Sequence, residues 1–79
     1  MPRYFFHLRN DHSLNDEEGS VLPDDETARE RAATFALSMA AASIVESRKL
    51  DQRHRIEVAN EAGEVIHSVS FGDVITVKG

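Results

Sequence analysis

The chain has 79 residues, a formal net charge of −5, no cysteine and no tryptophan. That length holds one domain, residues 1–79, which buries only about 60–65% of its unfolded surface, so self-association is one physical route to stability. The missing cysteines exclude a disulfide scaffold, a thiolate metal site and a cysteine nucleophile. The charge is spread as −2, −1 and −2 over residues 1–22, 23–50 and 51–79, which leaves no basic stripe for a phosphate backbone or an anionic membrane.

Residues 3–9 read Arg-Tyr-Phe-Phe-His-Leu-Arg, and the aromatic run predicts a strand. Alternation sets Tyr4, Phe6 and Leu8 on the core face and Phe5, His7 and Arg9 on the other. Asn10 to Glu18 is turn chemistry, because short Asn, Asp and Ser side chains bond their own backbone. Gly19 to Leu22 is expected to return as a short second strand with charged flanks, suited to an edge.

Asp24 or Asp25 then caps a helix expected over 24–48, rich in alanine and free of internal Gly or Pro. Arg48 and Lys49 carry the sign that favours a helix C-terminus. The run Ala32 to Val45 is uncharged but only 14 residues long, whereas a membrane span takes about 20. Twenty-five helical residues extend about 37 Å, while a compact domain of this size is roughly 30 Å across. The helix is therefore expected to overhang its own domain. It also has two apolar stripes. Ala28, Ala32, Phe35, Ala36, Met39 and Ala42 form one. Ala33, Leu37, Ala40, Ala41 and Ile44 form the other, whose small residues would let another backbone approach. One sheet needs a single stripe.

After a polar connection, Arg55 to Ala59 alternates with Ile56 and Val58 inward. Asn60-Glu61-Ala62-Gly63 predicts a hairpin turn. Glu64 to Phe71 returns as a strand with Val65, His67, Val69 and Phe71 on one face and Ile66 behind. Val74 to Val77 could extend it. The fold class is α+β: ββαββ, an antiparallel sheet with one long helix packed on one face.

With these residues in view, the chain resembles a family of short bacterial proteins known only as a domain of unknown function, of the family 6894 type. The resemblance is carried by Met1-Pro2-Arg3-Tyr4-Phe5-Phe6-His7, by Asp16-Glu17-Glu18-Gly19 and Leu22-Pro23-Asp24, and by Arg55-Ile56-Glu57-Val58. A glycine-turn hairpin and Val69-x-Phe71-x-Asp73 complete it. It implies a shared fold and a bacterial cytoplasmic setting, and brings no catalytic residue. Two departures are the turn at 10–13, which lacks glycines, and His67, which stands at a small-residue position. A shorter likeness, through Tyr4-Phe5-Phe6, Gly19, Pro23-Asp24 and Ala28 to Ala36, is to HicB-type antitoxin domains.

The candidate chemistries are weak. A calcium loop starting at Asp11 would need Gly at its sixth position and an acid at its twelfth, but these are Asp16 and Leu22. His7, His12, His54 and His67 are the only imidazoles, and a zinc site needs three or four ligands. Ser68 or Ser70 with His67 and Asp73 has triad composition, but strand neighbours point to opposite faces. Arg48, Lys49, Arg53, His54 and Arg55 form the one basic cluster. The expectation is a non-enzymatic interaction or regulatory module without cofactor or metal. It would form a homodimer, or meet another protein, through Ala33, Leu37, Ala40, Ala41 and Ile44, or through Phe5 on the sheet back. Nucleic acid and membrane are not expected partners. The alternative is an antitoxin-like regulator of a partner enzyme or nucleic acid.

Overall fold

A computed structural model describes residues 1–11 and 13–75. Strand β1 spans Arg3–Arg9, β2 Ser20–Val21, helix α1 Asp25–Ser47, β3 Arg55–Ala59, β4 Val65–Ser70, and a one-turn helix α2 Phe71–Val74. The strands form one antiparallel sheet in the order β2-β1-β3-β4, with α1 on one face. The order along the chain is ββαββ, as the sequence predicts.

The sheet is centred on β1 and β3, whose register pairs Phe6 with Val58 and Leu8 with Ile56. Tyr4, Ile56, Val58, Val69 and Phe71 are buried, and Phe6 and Leu8 pack at the margin of that core. The outer edge of β1 is closed twice. Its first residues pair with β2, and further on Leu8 and Leu14 exchange backbone hydrogen bonds of 2.8 Å. The turn between them has no glycine. Ser13 takes a positive φ of 36°, and its N–H donates to the Asn10 side-chain oxygen at 2.9 Å. His12 lies outside the described residues.

Helix α1 starts where the sequence places it. Asp24 is the N-cap, accepting the Thr27 N–H at 2.8 Å, and Arg48 is the C-cap in the left-handed region. The side chain meeting the sheet at each turn is alanine. Ala28, Ala32, Ala36 and Ala40 are all fully buried, one every four residues. Nothing after Ala40 in the helix is fully buried, so its last seven residues lie beyond its last core position. The molecule measures 41 × 24 × 17 Å, consistent with a helix of about 35 Å lying across short strands.

Two expectations fail on the second hairpin. A register shift between Val58 and Ala59 sets Val65 opposite Ala59 and leaves Ile66 as the extra residue. Val65 is therefore 54% exposed, and Ile66, expected behind the sheet, packs against the core. A bulge shifts every residue beyond it by one, which period-two alternation cannot anticipate. The strand also ends at Ser70. Ser70 and Asp73 form a reciprocal capping box that opens α2, with Ser70 Oγ accepting the Asp73 N–H at 3.2 Å and Asp73 Oδ2 accepting the Ser70 N–H at 2.9 Å. Val74 is helical rather than extended. Thr76 and Val77, the rest of the expected extension, lie outside the described residues.

Candidate interaction surface

The helix has an inverted pattern. Its smallest side chains face the sheet, while Leu37, Ile44 and Val45 are 49%, 41% and 81% exposed. The reason lies in the sheet, whose large inward residues Tyr4, Phe6, Ile56 and Val58, with Phe71 at the start of α2, already fill the space. Only alanine lets the helix backbone approach, and the larger helical residues are displaced outward.

At 3.6 residues per turn the exposed apolar residues fall on two flanks. Phe35 and Met39 lie on the β1 side. Phe35 meets Phe6 edge-on at 5.2 Å. Together with Leu8 and Ile56 these side chains line a groove of about 430 Å³ between helix and sheet, closed at one end by the loop from Asp16 to Ser20. Ala33, Leu37, Ala41 and Ile44 lie on the other flank, with Val45 near its crest. Of the residues expected at an interface, Ala33 is half-buried, and Leu37, Ala41 and Ile44 are exposed. Ala40 must be corrected. It continues the row Ala28-Ala32-Ala36 and is fully buried against the sheet, so it cannot meet a partner. Phe5 is half-buried on the sheet back, its ring stacked on His7 with 6.4 Å between centroids. Phe35, Met39 and Ala42 were expected in the core stripe, but all three are exposed. The weak signal for this was that an all-alanine row every four residues is a complete helix face by itself.

The polar constellations serve the fold. Asp16 organises its loop, since its carboxylate accepts backbone N–H groups from Phe6 at 3.2 Å, Glu18 at 3.2 Å and Gly19 at 3.1 Å. Burial opposes ionisation there, but these donors prevail and hold the carboxyl below its usual range. His7 Nδ1 accepts the Asp16 N–H at 3.0 Å, which occupies one of its two ligating atoms. The Tyr4 hydroxyl donates to Asp25, and that bond, with burial, pushes the phenol up to about 12.

The basic cluster is largely neutralised where it folds. Arg53 is paired with Asp51 at 2.9 Å, which holds that carboxyl down at about 2. His54 Nε2 lies 3.4 Å from Asp51 and 3.7 Å from Asp11. On the sheet back Arg9 and Arg55 are direct cross-strand neighbours, a like-charge pairing. Glu57 binds both, Arg9 at 2.8 Å and Arg55 at 3.1 Å, and its carboxyl is lowered by the Arg9 bond first. Arg48 and Lys49 have no polar side-chain partner among the described residues. Among the described residues no three His, Cys, Asp or Glu side chains come together as a metal-ligand group. Ser70 and Asp73 are engaged with each other's backbone, so the residues with triad composition act as a helix cap.

Fold and surface together define a small α+β domain whose helix keeps apolar residues exposed on both flanks. The chain belongs to the family described as "Domain of unknown function (DUF6894)", whose profile matches residues 3–72. No curated protein and no solved structure matches the chain. The family match bears out the principal resemblance read from the sequence, and the comparisons lend no support to the likeness to HicB-type antitoxin domains. No described helix is long and apolar enough to cross a membrane.

Proposed function

We propose that the chain is a non-enzymatic interaction module that works by burying the outer flank of α1 against another helix, with a second copy of the chain as the expected partner. The observation that carries this is the inversion of α1. Leu37 and Ile44 are left about half exposed and Val45 largely exposed, while alanines occupy the core. Exposed apolar residues scattered singly are ordinary. A contiguous set on one helix, interleaved with small residues and continuing past the end of the core, marks a contact surface. The overhang strengthens the reading, because the last two helical turns carry no fully buried residue.

The test is the mass in solution of the native chain at tens of micromolar, by sedimentation or static light scattering. A dimer that Leu37→Glu converts to a folded monomer supports the proposal. A native chain that stays monomeric counts against self-association. A dimer indifferent to Leu37→Glu removes the outer flank of α1 as its contact.

A further inference from the structure

The outer flank of α1 also carries a charge pattern that specifies how a second copy would lie on it. Counting along the helix, Glu26, Glu30, Ala33, Leu37, Ala41 and Ile44 follow one another at steps of four or three, and Arg48 closes the row at the C-cap. Twenty-two residues are covered in six steps, about 3.7 per step, so the row runs nearly straight along a helix of 3.6 residues per turn. Its beginning is acidic, its middle apolar and its end basic. The charges are uncommitted. Asp24 is used in the N-cap and Asp25 by Tyr4. Among the described residues, the side chains of Glu26, Glu30, Arg48 and Lys49 have no polar partner.

We propose that two copies pack antiparallel through this row, with a two-fold axis at Leu37. This rests on the reading of the outer flank as a contact surface. With Leu37 facing the partner's Leu37, Ala33 faces the partner's Ala41, Glu30 faces the partner's Ile44, and Glu26 faces the partner's Arg48. Each copy supplies the same residues in reverse, which is the self-complementarity that a two-fold interface requires. The alanines flanking the axis bring the backbones to the close end of the usual 8–10 Å separation. A parallel pair would set Glu26 on Glu26 and Arg48 on Arg48 and align the two helix dipoles. The antiparallel pair opposes the dipoles and joins unlike charges at both ends.

Because the chain has no cysteine, introduced thiols report the orientation directly. Ala33→Cys and Ala41→Cys chains, one of them labelled with a heavy nitrogen isotope, are mixed, equilibrated and oxidised. Solution mass is measured before oxidation, and the linked products are weighed intact. Disulfide formation requires Cα atoms about 4.4–6.8 Å apart, whereas two copies of position 33 in the antiparallel pair are offset by eight residues, about 12 Å along the axis. The expected product is a mixed dimer joined between positions 33 and 41, with little linkage in either variant alone. Links within each variant alone, 33 to 33 and 41 to 41, would keep the contact surface and overturn the antiparallel arrangement. A dimer by mass that forms none of these links would overturn both the arrangement and the use of this flank. A chain that is monomeric by mass would overturn the self-association on which both rest.

Discussion

Exchanging the sizes of two adjacent helical residues tests the inverted packing of α1. Ala36 is fully buried between helix and sheet, whereas its neighbour Leu37 is 49% exposed. In Ala36→Leu a larger side chain enters a space already filled by the sheet, and overpacking of this kind costs about 1–3 kcal/mol. For a domain of this size each kcal/mol lowers the melting midpoint by about 4–8 °C, so a central cost of about 2 kcal/mol corresponds to a fall of about 8–16 °C. Leu37→Ala removes a side chain that is only half out of water and opens no closed cavity. At about 0.8 kcal/mol for each fully buried methylene, its loss is about 1 kcal/mol, partly offset by the higher helix propensity of alanine. The assay is thermal unfolding followed by circular dichroism at a few micromolar, repeated at tenfold higher concentration to separate any contribution from association. The expected order has Ala36→Leu clearly less stable than Leu37→Ala. The reverse order, or an Ala36→Leu protein as stable as the native chain, would refute the account of how helix and sheet meet.

Two further outcomes follow from the structure. Gly19 and Gly63 both have positive φ, 72° and 82°, but differ in surroundings. A Cβ at Gly19 would lie 2.9 Å from the Tyr4 carbonyl oxygen, while one at Gly63 meets nothing within 4 Å. Gly63→Ala should therefore cost about 1–2 kcal/mol of left-handed strain and Gly19→Ala distinctly more in urea unfolding; equal costs would contradict the close approach at Gly19. Stability should also be lost at both pH extremes. The Asp51 carboxyl is depressed from its ordinary 3.8 to about 2, so its contribution is present above pH 4 and lost as pH falls through that interval, and Asp16 and Glu57 act in the same direction. The Tyr4 phenol is raised from 10 to about 12, so its contribution is present below pH 10 and lost above it. Melting midpoints that are level from pH 6 to 2.5 would contradict the acid limb, and Tyr4→Phe should flatten the alkaline one.

The ββαββ order and both ends of α1 were legible in the sequence, because each rests on local physics. Capping by Asp24, the lack of any helix breaker up to Ser47, the aromatic run of β1 and the glycine turn at 60–63 act within a few residues of themselves. The overhang was legible too, since it compares a helix length with the size of a chain of 79 residues. Other features were decided only when distant segments met. Ala40 belongs to the core because the sheet's large side chains admit only the row Ala28-Ala32-Ala36-Ala40, a matter of volume across the interface that helix periodicity does not contain. Val65 and Ile66 exchanged places because one unpaired residue in β4 shifts the rest of the strand. Arg9 found Glu57, 48 residues away, only once β1 and β3 were paired, whereas Arg53 and Arg55 bind carboxylates two residues from themselves. The short chain without cysteine, with which the sequence began, thus acquires a specific open surface. Local preference places apolar residues on both sides of α1. Packing density in the folded state sends the small ones inward and leaves the large ones facing water.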